Sequence, residues 1–241
     1  MNILKISLAK VLLFTLVIST AQAETLKFDT NFDGKMDQWK HISKDGKILS
    51  IEYDNNHDEV VDQKDFYDQN QKVIRAEIDS NYDGKMDQFQ FYKSGKIIRL
   101  EVDRSGSGQP ETIQYFDSNQ KLTRTEIDKN KDGKTDTWQF YNNNGKLSRV
   151  EYDTDHLGKV NQWDYFDEEG DFSKTAFDTN GDQKPDQWQF FSKSKVLQKV
   201  AYDTNHDGAP DHWEYFDGSK KVKRIELDRN HDGKVDFVKD Q

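Results

Sequence analysis

The sequence predicts an all-β fold, a curved or superhelical antiparallel meander of about eight to nine hairpin repeats of about 25 residues each. Three observations support this prediction. A short acidic phrase returns nine times at a spacing of 24 or 25 residues, and such a period is typical of repeat architectures. Between the phrases, apolar and polar residues alternate with period two, as they do in β-strands. All 14 glycines and all three prolines fall outside the predicted strands.

Residues 1–23 resemble a cleaved secretory signal. Lys5 and Lys10 precede or interrupt an apolar stretch, and the small residues Ala21 and Ala23 predict cleavage before Glu24. We therefore expect a secreted or periplasmic protein with no membrane span after cleavage. Residues 24–241 would form a single repeat domain of nine loop and hairpin units, with half units at both ends. The chain has no cysteine, so it cannot be stabilised by disulfide bonds as many exported proteins are, and bound metal is the remaining means of stabilisation.

Each unit predicts a hairpin followed by a loop. In the fifth unit, the segments TWQFY (137–141) and LSRVEY (147–152) alternate as strands, and the turn between them contains Gly145. The short connection favours an antiparallel hairpin. The alternative is a two-sheet β-solenoid, in which each unit makes one coil and like strands stack in parallel.

The alternation also predicts which side chains share a face. Trp138 and Phe140 fall on one face of the first strand, and Val150 lies opposite Arg149 and Glu151 on the second. The Arg-x-Glu pattern recurs in other units, and we expect it to form a separate, solvated polar face. Because twist accumulates over many strands, the aromatic face is expected to curl inward.

The acidic phrases have the donor spacing of calcium loops, which we number 1 to 9 in chain order. Side-chain oxygens stand at positions 1, 3, 5 and 9, and glycine at position 6 permits a sharp turn. Ca²⁺ takes six to eight oxygens, and the carbonyl of position 7 can add one. Five loops carry this set in full. They comprise Asp29, Asn31, Asp33, Lys35, Asp37 (loop 1), Asp79, Asn81, Asp83, Lys85, Asp87 (loop 3), Asp128, Asn130, Asp132, Lys134, Asp136 (loop 5), Asp203, Asn205, Asp207, Ala209, Asp211 (loop 8), and Asp228, Asn230, Asp232, Lys234, Asp236 (loop 9).

Four loops depart from this pattern. Loops 2 and 7 keep their acidic donors, but Glu59 and Gln183 replace the glycine of position 6. Their candidate ligands are Asp54, Asn56, Asp58 and Asp62 in loop 2, and Asp178, Asn180, Asp182, Lys184 and Asp186 in loop 7. Loop 4 has serines at positions 3 and 5, and loop 6 has Leu157 at position 5. The sequence therefore predicts five Ca²⁺ sites, and up to seven.

The complete loops resemble the nine-residue calcium loops of integrin-type FG-GAP repeats, and also the EF-hand-like loops of thrombospondin type 3 and dockerin modules. The resemblance implies ligation by Asp203, Asn205, Asp207, the carbonyl of Ala209, and Asp211 in loop 8. Position 12 is acidic in few units and the flanks are strand-like, so we expect position 9 to bind bidentately. The expected affinity is in the weak extracellular range of about 10⁻⁴–10⁻³ M.

The hairpins, such as FYNNNGKLSRVEYD, are similar to the YD-type repeats of large bacterial surface and toxin-shell proteins. That resemblance implies spiralling antiparallel sheets and no activity.

These patterns favour a secreted calcium-binding repeat protein in which Ca²⁺ rigidifies a β-hairpin array. The alternative is a calcium-dependent adhesin or lectin-like module for a glycan or a surface protein, because adjacent aromatic pairs such as Phe140 and Tyr141 must turn one ring outward. An enzyme is not expected, since no residue constellation breaks the repeat. A formal net charge of −10 without basic runs argues against nucleic acid as a partner.

Overall fold

The computed structural model of the chain describes residues 23–241, which form β-strands, turns and loops. The predicted signal peptide lies outside the described residues except for Ala23. The eighteen strands are β1 (Glu24–Phe28), β2 (Gln38–Ile42), β3 (Ile48–Tyr53), β4 (Gln63–Tyr67), β5 (Val73–Ile78), β6 (Gln88–Lys93), β7 (Lys96–Val102), β8 (Thr112–Phe116), β9 (Leu122–Ile127), β10 (Thr137–Tyr141), β11 (Leu147–Tyr152), β12 (Gln162–Phe166), β13 (Phe172–Phe177), β14 (Gln187–Phe191), β15 (Leu197–Tyr202), β16 (His212–Phe216), β17 (Val222–Leu227) and β18 (Phe237–Asp240).

The strands form one open antiparallel meander. Each strand pairs with its neighbours in sequence, from β1 with β2 through to β17 with β18. This confirms the predicted hairpin array. The β-solenoid alternative is wrong, because every pairing is antiparallel and like strands never stack in parallel.

Each complete hairpin carries a β-bulge at its turn end. In the β10–β11 hairpin, Phe140 pairs with Arg149 and Tyr141 with Leu147, which leaves Ser148 as an extra residue. The same irregularity recurs in the hairpins that begin with β2, β4, β6, β8, β12, β14 and β16. A bulge bends its strand and increases the local right-handed twist, so the sheet is bent once in every repeat.

The register corrects the predicted distribution of faces. Trp138 pairs with Glu151, and Phe140 pairs with Arg149, so aromatic and charged residues share one face, which we call the mixed face. The other face, the glutamine face, carries Gln139 and Val150, which also pair with each other. The expectation of an aromatic face separate from the Arg-x-Glu face is therefore wrong.

The charged side chains of the mixed face cover the aromatic rings. The guanidinium of Arg149 lies 4.4 Å from the ring centre of Phe140, and its Nε binds Glu151 at 3.0 Å. Arg99 lies 4.1 Å from the ring centre of Phe91 in the same way. Such cation–π contacts contribute about 0.5–1 kcal/mol at exposed sites. The mixed face thus shields its rings without a second layer of structure.

The apolar core of the described chain is small. Six apolar residues are buried, Ile51, Ala76, Val150, Ala176, Val200 and Ala201, whereas thirteen buried residues are loop aspartates. Close backbone contacts between strands join sequential neighbours only. The loops therefore contain most of the buried side chains. Among residues 23–241, no helix is long and apolar enough to cross a membrane.

Candidate functional site

The nine loops lie along one edge of the sheet, opposite the hairpin turns. Their first and last residues extend the strand pairing. The amide of Asp62 at the end of loop 2 donates to the carbonyl of Tyr53 in β3 (2.8 Å), and the amide of Asp54 donates to the carbonyl of Asp37 in loop 1 (2.9 Å). Positions 1 and 9 of neighbouring loops are thereby held side by side.

All nine loops share a backbone shape with left-handed residues at positions 4 and 6. At position 4, φ is 59° for His206 and 62° for Lys131, although neither is glycine. At position 6, φ is 97° for Gly208, and Gln183 adopts 69° where loop 7 lacks glycine. The motif predicted the turn at position 6. The second left-handed residue, at position 4, was indicated only by the glycines Gly106 and Gly181 of loops 4 and 7.

The carboxylate of position 1 holds the middle of the loop. In loop 8, Asp203 accepts hydrogen bonds from the amides of Asp207 (Oδ1, 3.2 Å) and Gly208 (Oδ2, 2.8 Å). The same pair of contacts recurs in loops 1, 2, 3, 5 and 9. In seven of the nine loops this aspartate is buried.

Positions 3 and 5 converge on the same turn. Oδ1 of Asn205 accepts from the amide of Asp207 at 3.1 Å, the amide that Asp203 also binds. The Asn205 side-chain amide donates to Oδ2 of Asp207 at 2.9 Å. Hydrogen bonds from Asn205 and from the backbone amide of Ala209 lower the pKa of Asp207. The structure thus places an oxygen of position 1 and an oxygen of position 3 on one backbone amide, and the carboxylate of position 5 accepts from the side-chain amide of position 3.

The carboxylate of position 9 lies at the beginning of the loop. Asp211 is buried and accepts from the amides of Thr204 (3.0 Å) and Asn205 (3.2 Å), and from the Thr204 hydroxyl (2.8 Å). Loops 1, 3 and 7 repeat the hydroxyl contact. Across residues 23–241, no three acidic or histidine side chains converge as a metal cluster. The carboxylate of position 9, which we predicted as the bidentate ligand, lies against the backbone amides of positions 2 and 3.

The degenerate loops keep the same framework. In loop 4, Asp103 accepts from the amides of Ser107 (3.1 Å) and Gly108 (2.7 Å), and Glu111 accepts from the amide of Arg104 (2.9 Å). In loop 6, Asn161 accepts from Thr154 in place of an aspartate. The framework therefore requires a hydrogen-bond acceptor at positions 1 and 9. The residues at positions 3 and 5, which are the other candidate metal ligands, are free to vary.

Neighbouring loops contact each other through position 4. His206 Nδ1 lies 2.9 Å from the side-chain amide of Asn180 in loop 7, and Lys131 Nζ lies 3.1 Å from Glu111 in loop 4. The loop motif alone does not predict these contacts, because it compares residues within one repeat. The recurrence of histidine or lysine at that position was the signal that could have indicated the contact between loops.

The outward aromatic rings predicted from adjacent pairs lie on the glutamine face. The hydroxyl of Tyr141 donates to Gln139 at 2.8 Å, and that of Tyr92 donates to Gln90. The ring of Phe191 packs against Phe172, with centroids 5.0 Å apart. These rings are engaged within their own strands or with the next hairpin.

Comparison with known proteins shows only weak likenesses. No protein-family model matches the chain, and no curated protein matches it. The chain is similar to part of the crystal structure of accessory secretory protein 1,2 and 3 in Streptococcus pneumoniae, with 19% identity, a TM-score of 0.31, and coverage of 38% of this chain and 17% of that chain. It is also similar to a porin-like protein from Bacteroides uniformis, with 9% identity, a TM-score of 0.26, and coverage of 89% of this chain and 92% of that chain. The likeness to TcdB2-TccC3-TEV has 12% identity and a TM-score of 0.21, and it covers 90% of this chain and 14% of that chain.

Proposed function

We propose that this chain is a secreted calcium-binding repeat protein in which Ca²⁺ rigidifies a β-hairpin array. The observation that carries the proposal is the recurrence of one loop framework in which the oxygen-bearing side chains of positions 1, 3 and 5 are joined by hydrogen bonds over a single turn. In loop 8 these belong to Asp203, Asn205 and Asp207. An all-oxygen donor set with two carboxylates is the chemistry that Ca²⁺ prefers.

The residues present fit Ca²⁺ in five loops, namely 1, 3, 5, 8 and 9, and the same donors recur in loops 2 and 7. Bound calcium would supply positive charge that offsets the repulsion between the loop carboxylates. The chain's own contribution is to hold those carboxylates in place through backbone amides. Asp211 and its equivalents would join the ligand set only by relaxing their hydrogen bonds to positions 2 and 3, which is consistent with weak binding.

A small apolar core gives metal binding a structural purpose. Only six apolar residues are buried among residues 23–241. Stability therefore depends on the loop edge, where binding free energy adds to folding free energy. Export through the predicted signal would deliver the chain to compartments richer in calcium than the cytoplasm. The role we propose is non-catalytic.

Terbium luminescence tests the proposal directly. Tb³⁺ takes the oxygen ligands of Ca²⁺, and each complete loop is followed two residues after position 9 by an apolar or aromatic residue such as Trp138 or Trp213. We expect tryptophan-sensitised terbium emission. Added Ca²⁺ should displace the bound Tb³⁺ and abolish the emission, whereas Mg²⁺ should displace it poorly because Mg²⁺ demands a smaller and more rigid site. Terbium that calcium cannot displace would count against the proposal.

A further inference from the structure

Two hairpins lack the ion pairs that characterise the mixed face elsewhere. Five hairpins carry an arginine bound to the glutamate two residues later. These pairs are Arg75–Glu77, Arg99–Glu101, Arg124–Glu126, Arg149–Glu151 and Arg224–Glu226. In β13 the corresponding residues are Lys174 and Ala176, and in β15 they are Lys199 and Ala201. Both hairpins have thus lost the acid and kept a cation.

The alanines create a continuous aromatic row. The register places Trp163, Ala176, Trp188, Ala201 and Trp213 side by side across five strands. The alanines are 0% and 2% exposed, whereas the three tryptophans are half-buried. The indole rings therefore cover the alanines and remain in contact with solvent. Successive tryptophans are two strands apart, about 9.6 Å.

The lysines of this region form no close ion pair among the described residues. Lys174 Nζ lies 4.1 Å from the ring centre of Tyr165, and Lys199 Nζ lies 4.4 Å from that of Phe190. The ion pairs found in residues 23–241 include neither lysine, whereas Arg149 and Arg224 on either side are both paired. Burial lowers the pKa of Lys174. We call this region the lysine–alanine patch, defined by Trp163, Lys174, Ala176, Trp188, Lys199, Ala201 and Trp213.

We propose that the lysine–alanine patch binds an extended polysaccharide that carries one acidic group per disaccharide. The negative face of an indole ring attracts the C–H face of a sugar. The spacing of the tryptophans is close to the length of one disaccharide in an extended β-linked chain. Lys174 and Lys199 repeat at the same two-strand interval, so each meets one acidic group of such a chain.

Charge disfavours other occupants of the patch. In a second copy of this chain packed face to face, the unpaired lysines would meet lysines. Single-stranded nucleic acid also stacks on aromatic rings, but its binding depends on many cationic contacts along the backbone. The patch offers only two cations, at the interval that suits one acidic group per disaccharide. The proposal does not rest on calcium in the loops.

Titration of tryptophan fluorescence with a hyaluronan decasaccharide, which alternates acidic and neutral sugars, tests the proposal in calcium-containing buffer. The variant Ala176→Glu/Ala201→Glu restores the residue that other hairpins carry at this register, so it is expected to fold. It should weaken binding tenfold or more, and Trp188→Ala should do the same, roughly as loss of a stacked ring does elsewhere. Trp39→Ala, at the same register but far from the patch, should leave binding unchanged.

Circular dichroism on each variant separates loss of binding from loss of fold. Saturable hyaluronan binding that both patch variants lose and Trp39→Ala retains would support the proposal. Equal binding by wild-type protein and the double glutamate variant would overturn it. Tighter binding of a neutral chitin oligosaccharide would overturn the role of the lysines, and tighter binding of oligo-dT would assign the patch to single-stranded nucleic acid instead.

Discussion

Loops 8 and 4 have the same backbone framework and different donor sets. Asp203 in loop 8 and Asp103 in loop 4 both accept the amides of positions 5 and 6. Loop 8 adds Asn205 and Asp207, whereas loop 4 has two serines, and Lys131 from the next loop binds its Glu111 at 3.1 Å. The shape of the loop therefore does not depend on the side chains at positions 3 and 5, which are the residues through which we propose that the loops differ in calcium binding.

The largest effect should come from breaking the framework at position 9. Asp211→Ala leaves two amides and a hydroxyl in a part-buried position without their acceptor, which should cost about 2–3 kcal/mol with or without calcium. Asp211→Asn should preserve the framework, because Asn161 fills the same role in loop 6. Denaturant unfolding with calcium and with EDTA measures both variants. If Asp211→Asn in EDTA were as destabilised as the alanine variant, the framework would need the carboxylate itself and not only a hydrogen-bond acceptor at position 9.

Giving loop 8 the donors of loop 4 should remove one calcium ion and leave the framework intact. In Asn205→Ser/Asp207→Ser, stability in EDTA should be close to that of wild type. At a calcium concentration ten times the dissociation constant, the variant should be less stable by about 1.4 kcal/mol. Calorimetry should show one site fewer. An unchanged number of sites would mean that loop 8 does not bind.

A smaller effect is expected from the left-handed residue of loop 7. Gln183 has a φ of 69°, and this left-handed conformation costs a residue with a side chain about 1–2 kcal/mol. Gln183→Gly removes that cost, but it also raises the conformational entropy of the unfolded chain, which lowers stability. The expected net gain is about 0.5 kcal/mol in thermal or denaturant unfolding. Gly208→Ala is the matched control. An added Cβ meets nothing within 4 Å there, so its predicted loss of about 1 kcal/mol would come from the backbone alone.

The smallest effect is a dependence on pH that comes from position 5 of loop 8 and has no counterpart at position 5 of loop 4. The Asn205 side chain and the Ala209 amide lower the pKa of Asp207, whereas Ser107 does not titrate. A depressed folded pKa stabilises the protein above the unfolded value of about 3.9, and this stabilisation is lost as the pH falls through the folded pKa. Metal-free Asn205→Ala should therefore lose less stability than wild type between about pH 5 and pH 3. An identical decline in both proteins would contradict this.

Sequence reasoning predicted the hairpins and loops because their signals are local. Alternation, the turn glycines and the Asp-x-Asn-x-Asp-Gly spacing each act within a few residues, and Trp138 or Gly145 can be assigned without knowing its neighbours. The prediction of faces failed because it required the register between strands. The bulge at Ser148 helps to set that register, and a shift of one residue exchanges the two faces.

The hydrogen bonds that position 9 accepts could not be predicted from the motif. A motif shows that Asp211 recurs at a fixed spacing, but the same spacing suits a metal ligand and an acceptor for loop amides. The contact of Lys131 with Glu111 joins residues from different repeats, so a pattern within one repeat cannot show it. The lysine–alanine patch, by contrast, was visible as a departure from the Arg-x-Glu pattern.

Calorimetric titration of metal-stripped protein with calcium, with thermal melting at both end points, tests the central claim most directly. If bound Ca²⁺ stabilises the hairpin array, the protein should bind five to seven ions with no contribution from loops 4 and 6, and its melting temperature should rise by a large amount. No heat of binding up to several millimolar calcium, together with an unchanged β spectrum and melting temperature, would contradict it. The shared loop framework would then be a metal-free joint between hairpins.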